Sequence, residues 1–296
     1  ILAVVGRAAS DENRSMTLVI ATAAGSAGQI IGAPTADALL QIMPWSSVFL
    51  VFAAAIIAVL MVLPMMRAKQ EITTHQGPDE SLSFVIKSAM RDPSYSMIFL
   101  GFFSCGFQLA FVTAHFPAFI TEVCSAIPPN SILRSIGVNS ASSLGALSIA
   151  LIGAANIVGT IGAGALGKYW SKKYLLALVY TGRTIASIAF IMLPMTPDTV
   201  VVFSIVMGSL WLATVPLTSG LIAQIYGVKY MGTLFGIVFF SHQLGAFIGV
   251  WLGGVMYDQY GSYNTVWWVG IGVGIFSAIV HLPVREAPLV KTPLAT

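Results

Sequence analysis

Runs of about twenty apolar residues recur along this chain, and an α-helix needs a run of that length to cross a lipid bilayer. The composition leaves few alternatives, because 57% of the 296 residues are hydrophobic and only 8% are charged. A soluble domain carries about 25% charged residues, so this chain cannot be surrounded by water on all sides. The sequence therefore predicts an all-α polytopic membrane protein. Its net charge of +3 is too small to indicate a nucleic-acid partner.

The apolar runs predict eight complete membrane spans, separated by polar turns. An incomplete helix is predicted before them, in the opening letters "ILAVV". Because the sequence starts inside that apolar run, we interpret it as truncated at its N-terminus. The predicted complete spans are residues 16–38, 46–66, 95–120, 143–167, 174–194, 199–225, 231–257 and 264–283.

A polar stretch separates the second of these spans from the third. Its first half has the Gln, Thr, Gly and Pro of a linker. Its second half places Leu82, Val85, Ile86 and Ala89 at helical spacing, which predicts a short helix on the membrane surface.

The basic residues predict the orientation, because Lys and Arg collect on the cytoplasmic side of membrane proteins. All but two of the 14 basic residues fall in alternate loops. The exceptions are Arg134, in an opposite loop, and Arg183, inside a span. We therefore expect a multi-pass protein of the plasma or bacterial inner membrane, with its linker and C-terminus in the cytoplasm.

A weak internal repeat relates the two ends of the chain. Residues 14–36 can be aligned with residues 231–253, so that Gly28 and Gly32 match Gly245 and Gly249. Parallel repeats of this kind, related by an axis along the membrane normal, are a known plan of secondary transporters.

The loop "GALGKYWSKKYLL" combines Gly164 and Leu166 with the paired basic residues Lys172 and Lys173. This pattern resembles the cytoplasmic signature of the major facilitator superfamily, but Lys168 stands where the family has Asp. The usual charge relay of that loop is therefore in question.

The second signature, "GSAGQIIGAP", resembles a Gly-rich and Pro-containing motif often linked with antiport. Pro34 is present, whereas Ala33 interrupts the Gly-Pro pair. Two longer stretches, "FSCGFQLAFVTAHFPAF" and "VPLTSGLIAQIYGVKYMGTLFGIVFFSHQLG", resemble bacterial members close to the monocarboxylate and oxalate/formate transporters.

The resemblance implies a major facilitator fold of two pseudo-symmetric six-helix bundles, of which helices 1–4 are mostly missing. Residues 1–66 would hold the end of helix 4 and helices 5 and 6, and residues 67–94 the cytoplasmic linker. Residues 95–296 would hold helices 7–12 and a short tail. If the halves repeat, about 120 further residues would precede Ile1. A monomer is expected.

A layer of polar or amphipathic side chains is predicted near the middle of the spans, the depth at which transporters of this kind bind substrate. The alternatives are a hydrogen bond between helices for Gln108 and Asn156, packing for Trp211, and either an outer gate or a solvated helix end for His115. His242 and Gln243 cannot both face one narrow cavity, because successive helical residues point about 100° apart. The predicted substrate-binding candidates are Gln108, His115, Asn156, Arg183, Trp211, Thr214, His242 and Gln243.

Arg183 gives the sharpest of these signals. Arginine stays protonated at physiological pH, and the predicted spans contain no acidic residue at its depth. An anionic substrate could supply the missing charge. The alternatives are an acid from helices 1–4, or backbone carbonyls together with Tyr180 one turn away.

The small residues predict close packing rather than chemistry. Gly245, Gly249 and Gly253 repeat every four residues, a spacing that lets two helix backbones approach closely.

Cys105 and Cys124 have neither a metal-ligand spacing nor a disulfide framework, and Cys105 is interpreted as a small apolar residue. No metal or cofactor is expected.

The leading functional hypothesis is secondary active transport, by alternating access, of a small organic anion resembling a monocarboxylate. His242 could bind a proton with it, because histidine's ordinary pKa lies near neutrality. The alternative is efflux of drugs or other neutral or cationic solutes, although such exporters tend to place an acid in the cavity. A channel gives no reason for two similar halves, and no enzyme motif is present.

Overall fold

The computed structural model describes residues 14–61, 81–227 and 230–288, and all regular elements in those residues are helices. The predicted helix at the start of the chain, most of the linker and the C-terminal tail lie outside them. In chain order, helices α1 to α11 are Arg14–Leu40, Trp45–Leu60, Leu82–Arg91, Pro93–Val123, Ile132–Ser135, Ala141–Leu166, Lys172–Met192, Pro197–Ser209, Thr214–Tyr226, Met231–Tyr260 and Asn264–His281.

Within the described residues, six segments are long and apolar enough to cross a membrane. They correspond to the last six predicted spans, so the prediction of an all-α fold with membrane-length helices is confirmed. The first two predicted spans are also helical. However, α1 is made less apolar by residues such as Gln29 and Asp37, and the described part of α2 has only 16 residues. The six segments are Pro93–Val123, Ala141–Leu166, Lys172–Met192, Pro197–Tyr226, Met231–Tyr260 and Asn264–His281.

The helix predicted in the second half of the linker is α3. The hydroxyl of Ser81 caps its start by accepting a hydrogen bond from the backbone N–H of Phe84 at 3.3 Å. Val85 and Ala89, four residues apart, are buried against the rest of the protein. Its position on the membrane surface remains a prediction.

The segment predicted as one continuous helix over residues 199–225 is broken in its middle. Helix α8 ends at Ser209 and α9 begins at Thr214, so that prediction is wrong over residues 210–213. Pro216 provides the physical reason, because a proline lacks the backbone N–H and its ring clashes with the carbonyl four residues earlier. That carbonyl belongs to Leu212, within the break.

Helices α4 and α10 pack along one another at backbone distance. A Cβ added at Gly245 would collide with the carbonyl oxygen of Phe103, and one added at Gly249 would lie 2.5 Å from that of Phe107. From the other side, a Cβ at Gly106 would collide with the carbonyl of His242. This is the close approach that the four-residue glycine spacing predicts.

The glycines of α1 have different surroundings. A Cβ added at Gly28 or Gly32 would meet nothing within 4 Å, and Pro34 lies inside the helix. A packing or conformational role for these residues therefore remains a prediction. The contact of α1 with α6 is close instead at Gly153, where an added Cβ would lie 2.8 Å from the side chain of Gln29.

Candidate functional site

A cleft of ≈ 580 Å³ opens at mid-length between α1, α4 and α10, beside the break between α8 and α9. Two of the eight predicted substrate-binding residues, Trp211 and His242, line it. Trp211 is only 3% exposed, so it forms part of a packed wall. The lining residues are Gly25, Ser26, Gln29, Leu109, Ala110, Thr113, Ala114, Trp211, Leu212, His242 and Val250.

Three polar residues of this lining, Ser26, Gln29 and Thr113, are absent from the predicted set. Gln29 is the most informative, because its Oε1 atom is buried with no hydrogen-bond partner in the described part of the chain. A polar amide in the middle of an apolar helix was the available sequence signal. It lies inside the stretch "GSAGQIIGAP", which was interpreted only as a glycine- and proline-containing motif linked with antiport.

Ser241, His242 and Gln243, three successive polar residues of α10, have different surroundings. The hydroxyl of Ser241 is buried and donates to the carbonyls of Phe99, in α4, and Val238, both at 2.7 Å. His242 lines the cleft, with its ring stacked on Phe239 at a centroid distance of 5.1 Å. Gln243 is exposed and lies 3.3 Å from Nδ1 of His242 through its Oε1 atom. Only His242 therefore faces the cleft.

Arg183 is fully buried behind the cleft, where it holds the break between α8 and α9. Its Nε and Nη2 atoms donate to the carbonyl of Leu210 at 2.9 and 2.7 Å, and Nη2 also donates to the carbonyl of Trp211. The guanidinium lies 5.3 Å from the ring centroid of Tyr180. The sequence left three possible partners for Arg183: an anionic substrate, an acid from helices 1–4, or backbone carbonyls with Tyr180. Within the described residues, its partners include the backbone carbonyls and Tyr180.

These carbonyls lie at the C-terminal end of α8, where a helix leaves its last carbonyls without partners and carries a partial negative charge. A buried cation is favourable at this position. Arg183 thus compensates for the hydrogen bonds that the helix break removes.

Asn156 holds the same break from the opposite side. Its Oδ1 atom accepts from the backbone N–H of Leu212 at 2.7 Å and from the hydroxyl of Thr160 at 3.0 Å. Its Nδ2 atom donates to the hydroxyl of Ser26 in α1 at 2.5 Å. The side chain of Asn156 is fully buried, so it joins α1, α6 and the break instead of projecting into the cleft.

Cys105 is buried in the apolar core, where it also contacts a small cluster of polar side chains. Its sulfur accepts a hydrogen bond from Nη1 of Arg183 at 3.6 Å and lies 3.3 Å from the hydroxyl of Thr214. The interpretation of Cys105 as a small apolar residue therefore describes its burial but not these two contacts. Thr214 is fully buried in this cluster and does not line the cleft.

Gln108 and His115 are directed away from the cleft. Gln108 is buried against α11, where its amide donates to the carbonyl of Gly270 at 2.9 Å. Nε2 of His115 lies 2.9 Å from the carbonyl of Val250 in α10. Gly253 leaves room for this ring, because a Cβ there would approach it to 2.5 Å. Both residues connect helices. The packing alternative predicted this for Gln108, whereas for His115 the contact with α10 was not among the alternatives.

The basic loop motif joins several chain segments at one end of the bundle. Nζ of Lys172 donates to Oε1 of Gln224 at 2.8 Å, and the backbone N–H of Lys173 donates to Glu286 at 2.7 Å. Gly164 lies in the last turn of α6, just before this loop. The loops predicted to be cytoplasmic thus meet at a common end.

At the opposite end, a smaller cleft of ≈ 220 Å³ lies between Glu122, Met195 and Tyr263. It is remote from the buried polar cluster, so we take the mid-length cleft as the candidate site. Within the described residues, no group of three or more His, Cys, Asp or Glu side chains is arranged to hold a metal ion.

Comparison with known proteins shows which sequences and folds this chain resembles. YcxA, an uncharacterized MFS-type transporter of Bacillus subtilis (strain 168), is 25% identical over 282 residues, which cover 92% of this chain and 64% of YcxA. The chain therefore spans less than two thirds of that relative's length.

Two solved structures of FucP, one of them of the E. coli fucose:proton symporter, have a similar fold. Each matches with a TM-score of 0.62 at 15% identity over 94% of this chain, covering 71% and 70% of the respective FucP chains. The second of them is in the outward conformation. The family model described as Major Facilitator Superfamily matches residues 1–211 and 123–295, and the chain therefore belongs to the Major Facilitator Superfamily.

Proposed function

We propose that the protein is a secondary active transporter that moves a small organic anion, of monocarboxylate type, by alternating access and together with a proton. The observation that carries this proposal is the mid-length cleft, in which His242 is the titratable side chain among the described lining residues. Midplane clefts between helix bundles are where such transporters bind substrate. Substrate, protons and lipid would be its partners, and it would act as a monomer.

The charges around the cleft support an anion over a cation. No carboxylate is among the described lining residues. Arg183 lies behind the wall, and its hydrogen-bond partners in the described residues are carbonyls and a thiol, which leave its full positive charge in place. A charge in a medium of low dielectric acts over several ångströms. A carboxylate in the cleft would be attracted without contacting Arg183.

Proton coupling is the role proposed for His242. The similar fold of FucP belongs to a protein named as a fucose:proton symporter, so this fold is compatible with coupling to protons. A protonated His242 would add a second positive charge directly in the cleft. Anion binding and protonation would then favour one another, which is the thermodynamic basis of symport.

The decisive experiment is uptake of a panel of radiolabelled monocarboxylates by proteoliposomes that contain the full-length protein. Uptake should rise as the external pH falls through the range in which histidine becomes protonated. We expect His242→Ala to lower uptake about tenfold or more and to remove its pH dependence, because the cleft loses its titratable group.

His115→Gln is the matched histidine control, since His115 lies outside the cleft and Gln can still donate to Val250. It should keep the pH profile of the wild type. A His242→Ala protein with unchanged rate and pH dependence would contradict the proposal. Saturable uptake of cations or neutral solutes, without uptake of carboxylates, would favour the efflux alternative.

The proposed orientation has its own test. Cysteine introduced at Ser135 or Ser262 should react with an impermeant maleimide in intact cells, and cysteine at Ser171 only after permeabilisation. The expectation follows from the distribution of basic residues over alternate loops. The native Cys124 is first replaced by Ser, whereas Cys105 is fully buried.

Labelling of Ser171→Cys from outside would reverse the orientation, including the proposed cytoplasmic linker and C-terminus. A reporter at Gln76 would extend the test to the linker, which lies outside the described residues.

A further inference from the structure

The carboxylate of Asp37 joins two helices that the sequence assigns to different halves of the protein. Asp37 lies in the last turn of α1, which belongs to the predicted N-terminal bundle. Its Oδ1 atom accepts a hydrogen bond from the hydroxyl of Ser142 at 3.2 Å, and its Oδ2 atom accepts one from the hydroxyl of Ser143 at 3.1 Å. Both serines lie in the first turn of α6, in the predicted C-terminal bundle. One side chain therefore makes two hydrogen bonds between the halves.

Local hydrogen bonds hold both sides of this contact in position. On α6, the hydroxyl of Ser140 donates to that of Ser143 at 3.1 Å and accepts from the backbone N–H of Ser143 at 3.1 Å. A serine hydroxyl has one proton. Because the oxygen of Ser143 is the acceptor in this pair, its own proton is directed to Asp37. On the α1 side, the amide of Gln41 donates to Oδ2 of Asp37 at 3.5 Å.

The carboxylate occupies an electrostatically favourable position. A helix carries a partial positive charge at its N-terminus, and Asp37 contacts the first turn of α6. Hydrogen bonds to an ionised group are also stronger than those between neutral groups. Asp37 is only half-buried, so water can replace the two serines when the helices separate. Such a contact can favour one conformation and still be broken in each transport cycle.

A further hydrogen bond joins the same two helices near mid-length. It runs from Nδ2 of Asn156, in α6, to the hydroxyl of Ser26, in α1, and Ser26 lines the cleft. With a rise of 1.5 Å per residue, this bond and those of Asp37 are about 17–20 Å apart along the helices. Helices α1 and α6 are therefore held together both at the depth of the cleft and at the end remote from the basic loops.

Helix α1 contains a weak point between these two contacts. Pro34 lies inside the helix, between Ser26 and Asp37. A proline removes one backbone hydrogen bond, and helices bend most readily at such positions. A Cβ added at the neighbouring Gly32 would meet nothing within 4 Å, so no close contact holds this turn. The last turns of α1 can thus swing away from α6 while the contact at mid-length stays in place.

We propose that Asp37, Ser142 and Ser143 form a latch that stabilises the conformation in which the cleft is closed to the outside. The inference rests on the proposed function as an alternating-access transporter and on the proposed orientation. In that mechanism, the two halves rock against each other around a central site. The bond between Ser26 and Asn156 lies at the depth of this site and serves as the pivot. The latch lies at the outer end, where α1 and α6 must separate to admit a solute from outside.

The reactivity of a cysteine in the cleft tests the latch without any transported solute. Ala114 lines the cleft and is exposed, so Ala114→Cys reports access to it in a full-length protein in which Cys124 is replaced by Ser. An impermeant maleimide probes access from outside in right-side-out vesicles and from inside in inverted vesicles. We expect Asp37→Asn to raise the outside rate about tenfold, because loss of the charge weakens both hydrogen bonds. The inside rate should not rise.

The serines give the complementary change. Ser142→Ala combined with Ser143→Ala removes both donors and should raise the outside rate to a similar extent. Ser142→Thr combined with Ser143→Thr keeps the hydroxyls and should stay near the wild type. Adding Asp37→Asn to the two alanines should change little, because both alterations remove the same bonds. Asp198→Asn is the matched control, since Asp198 is an exposed aspartate in the first turn of α8, within the predicted C-terminal bundle.

A purely structural role predicts a different pattern. General loosening of the fold would lower the unfolding temperature and raise the labelling rate from both sides, whereas an opened latch raises it from outside alone. Wild-type outside rates in both Asp37→Asn and the alanine variant would overturn the proposal, as would an equal rise from both sides. Failure of the wild type to move any carboxylate would refute the proposed substrate class, while the labelling pattern would still decide the latch.

Discussion

Gly245→Leu should leave little folded protein in the membrane. In α10, Gly245 lies against the backbone of α4, and an added Cβ would overlap the carbonyl oxygen of Phe103. A backbone carbonyl within a helix cannot rotate away as a flexible side chain can. Gly249 of α10 is in the same kind of contact with Phe107, and Gly106 of α4 with the backbone of His242. The helices therefore cannot separate at one point alone. We expect a loss of about 3 kcal/mol or more in the free energy of unfolding.

Gly254→Leu is the matched control, because it adds the same side chain to the same helix where an added Cβ meets nothing within 4 Å. Thermal unfolding of the two purified variants in detergent gives the comparison. Gly254→Leu should unfold near the wild-type temperature, and Gly245→Leu should aggregate or unfold at a much lower one. Equal stability of the two variants would show that close contact between α4 and α10 is not required.

The helices could be predicted because each requires only a sustained apolar run. The break within the segment Pro197–Tyr226 could not be predicted in the same way, since both halves of that segment are apolar and their average hydropathy resembles that of a continuous span. The local signal was Pro216, whose missing N–H and bulky ring interrupt the helix. Pro216 alone could not have predicted the break, because Pro34 and Pro117 lie inside α1 and α4 without interrupting either helix.

The position of the polar residues along their helices could be predicted, but the direction in which they point could not. His242, Gln108 and Asn156 all lie near the middle of apolar helices, yet only His242 lines the cleft. Apolar residues surround each of these positions on every face, so the sequence has no polar stripe from which a rotation about the helix axis could be read. The rotation is determined by packing between helices.

The cluster around Cys105 shows a different limit. Its contacts come from Arg183 and Thr214, which lie on two other helices. No spacing within one segment can reveal that arrangement. The sequence did indicate that Arg183 needs acceptors, and carbonyls freed by a helix break are the acceptors in the described residues.

Arg183→Met should act mainly by destabilising the folded protein, rather than by removing a direct contact with substrate. The substitution keeps an unbranched apolar side chain but removes the donors to the carbonyls of Leu210 and Trp211. Those carbonyls lie in a break that Pro216 prevents from closing into a helix, so they would remain buried without partners. Each orphaned group costs about 1–3 kcal/mol. We expect a total loss of about 3 kcal/mol or more, partly offset because a buried charge is also removed.

Arg183→Lys provides the graded comparison. An ammonium keeps the charge but lacks the planar arrangement of donors that reaches two carbonyls and a thiol together. It should therefore recover part of the stability and leave amide hydrogen exchange in residues 210–213 faster than in the wild type. Arg183→Met should show the fastest exchange in this segment.

The two roles considered for Arg183 predict opposite patterns. If it contacted substrate and had no structural role, Arg183→Met would unfold at the wild-type temperature and bind carboxylates weakly. If it holds the break, as its hydrogen bonds indicate, thermal stability and hydrogen-exchange protection should fall together. Carboxylate affinity should then fall in the surviving folded fraction, because Trp211 loses its backbone support at the wall of the cleft. Wild-type stability with normal exchange in residues 210–213 would contradict the structural role and return Arg183 to the cleft as a direct anion ligand.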